Sequence, residues 1–403
     1  MMGTTAERRE VTTTRWRDCK AATRRGRNPR ILPFGRPADL PLLLGAVLPL
    51  LFGCAKKPPA GYAPDPGLLA RVQSIRMEVP GAACPGQTIP AYYLAVLDDG
   101  SELPFSSRYD DDDPPALHVS FLTRYSPNAA AQANGHWTTS DDPLASALNG
   151  FPLQAILRAK PGVIARATVA PGYGCADHVF RFSGASGPRG GAGGPGPDVT
   201  LRLAVLSSPF VDRLLVVELV PEDGPPAYLL ADLDEVPPAD WLVVRSRGGR
   251  GGRGTDGRDG AKGTAGAAGC PSAAGGAGGA GGNGGGGGAG GRGGRVTVLV
   301  PDTEPLLAGL VDARSQGGEA GEGGRAGKGG AGGAGGAAQG DPRRCKAGSN
   351  GADGPDGRPG RDGPDGQTGV RAQVLTVPAA SVFGSRPRPE LLALINYHEG
   401  ARQ

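Results

Sequence analysis

The residues of this 403-residue chain that could do chemistry are four histidines, six cysteines and one dense carboxylate run. His118, His136 and His178 could act as general bases, but none stands beside a Ser, Cys or Asp in a catalytic pattern. No nucleophile elbow or triad order accompanies them, so structural or surface histidines are expected and no catalytic residue is assigned. The run Asp110-Asp111-Asp112-Asp113 offers the oxygen ligands that calcium prefers. It lacks the glycine and terminal glutamate of an EF-hand loop, and four adjacent charges cannot all face one ion. A solvated acidic turn is the expectation. No CxxC or HxxxH spacing supports a zinc site, and neither a metal nor a cofactor is expected.

The leader comes next. Arg15, Arg17, Lys20, Arg24, Arg25, Arg27, Arg30 and Arg36 precede an apolar run from Leu40 to Phe52, too short for a bilayer span of ~20 residues. A basic region, a short apolar stretch and a small residue at the cut site describe a secretory signal peptide over 1–53. Leu51-Phe52-Gly53-Cys54 resembles the bacterial lipobox, with Phe52 in place of the usual small residue. The resemblance implies acylation of Cys54, and Ala55 after it implies the outer membrane. A plain secreted protein is the alternative. The net charge of +4 belongs to this leader: ten of the 43 basic and four of the 39 acidic residues precede Cys54, leaving 33 against 35. A near-neutral remainder offers no electrostatic footprint for nucleic acid. Export favours disulfides. Cys84, Cys175, Cys270 and Cys345 allow three pairings; pairing within regions, Cys84 with Cys175 and Cys270 with Cys345, is the economical choice.

After a linker at 54–69, the stretch 70–183 carries short alternating segments separated by turn residues. Candidate strands are Arg71–Val79, Ala91–Leu97 with Leu103–Phe105 as a hairpin, Leu117–Phe121, Pro152–Ala159, Val163–Ala170 and His178–Ser183. About seven such strands suggest an immunoglobulin-like sandwich. This part resembles the bacterial Ig-like modules of surface proteins.

Glycine then takes over, with 72 in the chain. It falls on every third position in a short run from Gly184 to Gly196, from Gly248 to Gly293 with one miss at Ser272, and from Gly318 to Gly369 with misses at Gln339, Pro342 and Cys345. A three-residue period fits neither helix nor strand; it fits polyproline or polyglycine II geometry, where every third residue lies on one edge. The misses divide the long tracts into four pieces of matched length, expected to form two hairpins whose tips are tied by Cys270–Cys345. Each tract is flanked by apolar strands, which are expected to pair into one base sheet. Short run and strands occupy 184–246, the bundle 247–377, and a helix from Pro389 lies in the tail 378–403.

The fold expected is therefore mainly β: an Ig-like sandwich, then a sheet base carrying polyglycine II rods. Gly348–Gly369 resembles bacterial collagen-like sequence, while the single Pro271 in the first long tract is too little imino acid for collagen. The tracts also resemble the polyglycine II bundle of small antifreeze proteins and the glycine-rich surface proteins of high-GC bacteria. The chain as a whole resembles glycine-rich bacterial lipoproteins, which implies a non-catalytic envelope protein, held to the membrane by its lipid anchor, with a structural or adhesive bundle. A ligand- or glycan-binding module using the Ig-like region, and a collagen-like trimeric stalk, are the alternatives.

Overall fold

Alternation of large and small exposure builds the first half of the chain: along Phe151–Leu157, residues 151, 153, 155 and 157 are buried while their neighbours are half-covered. The computed structural model describes residues 58–401; the leader and Cys54 lie outside the described residues. The order begins α1 (Pro66–Arg71), β1 (Val72–Glu78), β2 (Ala82–Ala83), β3 (Thr88–Ile89), β4 (Tyr92–Leu97) and β5 (Glu102–Pro104). It continues β6 (Leu122–Tyr125), β7 (Ala129–Ala131), β8 (Trp137–Thr139), β9 (Phe151–Leu157) and β10 (Ile164–Pro171). These strands form sheets in the orders β1-β4-β5, β2-β10-β9-β6 and β3-β8-β7. Their shared core holds Tyr93, Trp137, Phe151, Leu153 and Leu157. The polar atoms of Trp137 and Tyr93 are satisfied in a chain, the Trp137 indole N–H donating to the Tyr93 hydroxyl at 2.9 Å and that hydroxyl to the Gly135 carbonyl at 3.0 Å, as burial requires.

The expected β4–β5 hairpin forms, turning at Gly100 with φ 79°, a conformation that suits glycine. Leu117–Phe121 does not make the expected strand. Residues Val119–Phe121 form a 3-10 turn instead, and the strand is the following β6. The turn is held by the His118 ring, whose Nδ1 accepts from the Ser120 N–H. The linker at 54–69 is partly docked: Tyr62 sits 5.0 Å from the Phe121 ring and Leu68 and Leu69 pack on the core.

The second half contains β11 (Val179–Ser183), β12 (Val199–Leu206), β13 (Leu214–Pro221), β14 (Ala227–Asp232), β15 (Leu242–Arg247), β16 (Val296–Pro301), β17 (Val311–Gln316), β18 (Gln373–Val377) and α2 (Pro389–Ala401). The flanking strands of the glycine tracts do not share one sheet. Strands entering a tract pair in parallel as β11-β15-β17; strands leaving one pair in parallel as β12-β16-β18, extended by the antiparallel β13 and β14. The segment 178–183, grouped by sequence with the preceding strands, belongs to the first of these sheets. The physical reason is the hairpin itself: its two arms lie in different layers, so their roots must as well.

Leu242 and Val244 face Leu201, Leu203, Val217 and Val298 across the two layers. The other face of the larger sheet is covered by Leu391 and Leu394 of α2, by Val382 and Phe383, and by Leu144 and Tyr173 from the first half. Covered on both sides, β13 is buried without alternation from Leu214 to Leu219, as continuous apolar strands require. Its one charge, Glu218, accepts from the Arg202 guanidinium and from the Tyr228 hydroxyl, both at 2.7 Å. Burial, and then the hydrogen bond to Glu218, push the Tyr228 phenol well above its ordinary pKa.

Candidate functional site: the glycine segments beyond the two-layer base

At the end of the base the side chains shrink. On β15 the inward positions run Leu242, Val244, Ser246 and then Gly248, the first three with 0% exposure. Facing sheets stand ~10 Å apart when side chains fill the gap. Ser246 closes it, its hydroxyl donating across the layers to the Pro197 carbonyl at 2.6 Å. Beyond that serine, main chain meets main chain.

Each glycine-rich segment continues its strand. The first outgoing segment, 248–269, donates from Gly248 to Gln316 at the end of β17, and from Gly251, Gly254 and so on at three-residue steps to carbonyls of the second outgoing segment, 317–338. The first returning segment, 273–294, donates from Gly275 onward to the second returning segment, 346–369, and from Gly276 onward to the first outgoing one. Gly318 to Gly336 donate back to 273–291, and Gly348 to Gly366 to 318–336. Outgoing runs parallel to outgoing, returning to returning, and the two kinds are antiparallel. The sheet register passes into the glycine lattice along the outgoing segments, whereas between the returning ones it shifts by one residue: Asp302 donates to Val377, 75 positions on, and Gly293 to Gln367, 74 positions on.

The number of glycines per triplet follows the number of neighbours. Segment 273–294 bonds to both outgoing segments, to the second returning segment and to the short loop 184–197, and it carries two adjacent glycine rows. A Cβ on the row from Gly275 to Gly293 would overlap neighbouring backbone throughout; on the adjacent row it would do so at Gly288, Gly291 and Gly294, beside the short loop, and would meet backbone at a tight 3.0 to 3.2 Å from Gly276 to Gly285. In 248–269 the second row is glycine only at Gly249 and Gly252, where the short loop runs alongside. Past the loop's turn at Gly190 the same row reads Thr255, Arg258, Ala261, Thr264 and Ala267. The loop ends, and side chains return.

At the far end Cys270 and Cys345 are joined, their Cα atoms 5.1 Å apart, so both hairpin tips share one covalent tie. The second disulfide, Cys84–Cys175, holds the loop before β3 to the loop after β10, with Cα atoms 6.2 Å apart. Both within-region pairings are present.

Polar and charged residues of the segments and their roots do two things. Arg247 pairs with Glu319 at 2.9 Å and Arg250 with Glu322 at 3.6 Å, linking the outgoing segments on their exposed side, contacts of ~0–1 kcal/mol each. The less expected role is that of main-chain acceptor: Asp256 takes the Arg325 N–H at 2.8 Å, Asp259 the Lys328 N–H at 2.8 Å, and Asn283 the Arg358 N–H at 2.8 Å. That role was hidden in sequence because donor and acceptor are 69 to 75 positions apart. The Arg325 N–H, with the Arg253 guanidinium also nearby, holds the Asp256 carboxyl below the usual carboxylate range. A depressed carboxylate supports the fold above its ordinary pKa and stops doing so as pH falls through the lowered value. On acidification from about pH 5 to pH 2, the Arg325 amide resonance should follow a titration whose midpoint lies below that of exposed aspartates. Asp256→Ala should abolish that titration, and NMR reads both.

The remaining candidates stay apart. Asp110 to Asp113 are exposed on a bend, and no group of three or more His, Cys, Asp or Glu side chains with metal-site geometry occurs among the described residues. His178 lies against the Trp241 ring at 4.3 Å, and burial lowers its pKa, as it does for the nearly inaccessible His118. His398 on α2 accepts from the Ser207 N–H at 3.0 Å and so ties the helix to the end of β12. Beside it a cleft of about 690 Å³ lies between α2 and the larger sheet, lined among others by Arg213, Glu304 and Leu392.

Compared with known protein families, with characterised proteins and with solved structures, the chain matches none. No helix among the described residues is long and apolar enough to cross a membrane.

Proposed function

We propose that this chain is a non-catalytic, lipid-anchored protein of the bacterial envelope, in which an Ig-like sandwich and a two-layer base carry a polyglycine II bundle outward as a structural or adhesive arm. The observation that carries this reading is the unbroken three-residue ladder of main-chain bonds among four segments of one chain. At ~3.1 Å per residue each arm would reach roughly 65 Å. The antiparallel neighbours within one chain favour this over a collagen-like stalk, which needs three parallel strands. The cleft described above lies under α2 and so does not favour the alternative of a ligand-binding module in the Ig-like part. The lipobox-like Leu51-Phe52-Gly53-Cys54 supports the anchor.

The test is expression of the full chain in a two-membrane bacterium fed a labelled fatty acid. Label on the wild-type chain, outer-membrane fractionation, and loss of both in Cys54→Ala are expected. An unlabelled, freely secreted wild-type protein would remove the anchor from the proposal. Small-angle scattering of the unacylated chain would separately show whether a narrow arm of the stated length projects from the base.

A further inference from the structure

The glycine lattice is layered, and a layered lattice has an open end. In the first outgoing segment, Gly251, Gly254, Gly260, Gly263 and Gly266 donate to the main-chain carbonyls of Glu319, Glu322, Lys328, Ala331 and Ala334 in the next layer. The strand pairing of Arg247 with Gln316 sets the equivalent positions 69 residues on. These are Ala320, Gly323, Gly329, Gly332 and Gly335. Among the described residues no further layer stands beside them, yet each of their amides has a partner: Asp365, Asp362, Asp356, Asp353 and Asn350, through Oδ1 at 2.6 to 2.9 Å. The acceptors recur every third residue along 346–369, with Pro359 at the one position that breaks the series. Where the first outgoing segment offers these amides to another backbone, the second gives them to side-chain oxygens of the returning segment beside it.

A row of free N–H groups at fixed spacing is a template for another chain, the hazard that natural sheets suppress at their edges. Its chemistry selects the guest: only a backbone presenting carbonyls at the same three-residue step can take all five donors, and the chain that carries such segments is a second copy of this one. A second observation agrees. Proline, which has no N–H to give, is absent from 248–269, 273–294 and 317–338, and occurs in the short loop, at Pro188, Pro195 and Pro197, and in the second returning segment, at Pro355, Pro359 and Pro364.

We infer that Asn350, Asp353, Asp356, Asp362 and Asp365 form a terminating cap, which ends the lattice and keeps a second copy from adding its glycine segments to this face. The inference rests on the packed bundle but not on the anchor or on the role in the envelope.

The test compares three full-length mature proteins, all carrying Cys54→Ser so that no lipid intervenes. The first keeps the cap. The second replaces all five residues by alanine. The third carries Asp353→Asn, Asp356→Asn, Asp362→Asn and Asp365→Asn, which discards the charges but keeps an acceptor oxygen at each site, as Asn350 already does. Light scattering after gel filtration over a hundredfold concentration range gives the mass. Amide exchange at Gly327, inside the bundle, reports whether the bundle persists. The alanine protein should associate, at least doubling its mass at high concentration, while the other two keep the same mass. An alanine protein with a protected Gly327 amide and unchanged mass overturns the inference. So does an asparagine protein that associates equally, since charge repulsion and not capping would then be responsible. Should the five alanines unfold the bundle, Asp356→Ala with Asp362→Ala opens only Gly329 and Gly323 and is read in the same way. Fast exchange of Gly327 in the first protein would instead refute the bundle itself.

Discussion

Gly327→Ala should cost at least about 4 kcal/mol, at the far end of what single substitutions do, and should free the amides around it. Gly327 is buried in the second outgoing segment. Its N–H donates to the Gly282 carbonyl at 2.9 Å, and its own carbonyl accepts from Gly357 at 2.9 Å. A Cβ there would overlap the Arg258 carbonyl group of the first outgoing segment. The obstacle is main chain on a third segment, so no side-chain rotation relieves it, and the lattice must part locally. Amide exchange at Gly282 and Gly357 should rise by roughly a thousandfold, the factor that about 4 kcal/mol represents if the segments open there. The contrast is Gly286→Ala, one row away. Gly286 is exposed, and a Cβ on it would have the Arg361 carbonyl oxygen as its nearest neighbour, at an ordinary 3.8 Å. Ala277, Ala280 and Ala289 already occupy its row. This substitution should be neutral, or stabilising by ~0.4–1 kcal/mol through the unfolded chain. Equal damage from both would mean that glycine is needed there for backbone freedom and not for close approach.

Breaking the tip disulfide should loosen the far end and spare the base. Net stabilisation by a hydrogen bond is ~0.5–1.5 kcal/mol, while ordering one residue costs ~1–2 kcal/mol, and glycine has more freedom than most to lose. The ladder alone therefore holds the segments weakly, and what confines their ends matters. At the root they are confined by the two-layer core; at the tip by Cys270–Cys345, which spans 75 residues. In the chain-entropy account a loop of that size is worth about 4 kcal/mol. With Cys270→Ser and Cys345→Ser together, exchange at Gly263, Gly266, Gly333 and Gly336 should accelerate by roughly 10²–10³. Gly248, Gly251 and Gly318, beside the base, should change little. Uniform acceleration from root to tip would show that the bundle opens as one unit; no acceleration would show that the ladder needs no tie. Cys84→Ser with Cys175→Ser serves as a control, because that bridge constrains the first half of the chain.

Much of this was legible locally. The three-residue step marks the segments, the interruptions at Cys270 and Cys345 mark the turns, and the spacing of those cysteines pairs them. The hairpin at β4–β5 and the helix from Pro389 are also local signals, a turn dipeptide in one case and a proline start in the other. Leu117–Phe121 misled because its alternation is real but short, and the His118 ring bonding to the Ser120 amide favours a tight turn over a strand. The cap residues could have been noticed as an Asn/Asp series at 350, 353, 356, 362 and 365. Their partners could not, since nothing in one segment says which segment lies beside it.

The sequence by itself determined that the backbone of these tracts repeats every three residues, where it reverses, and which thiols are available to tie it. The tertiary structure alone decided that the strands at the roots divide between two sheets, which segment has four neighbours and which has fewer, and which carboxylates become acceptors for distant amides. The reason is physical. Backbone period follows from the size of consecutive side chains, a property of neighbours in sequence. Close approach, by contrast, depends on which chains the long hairpins bring together, and that follows from the layered core at their base.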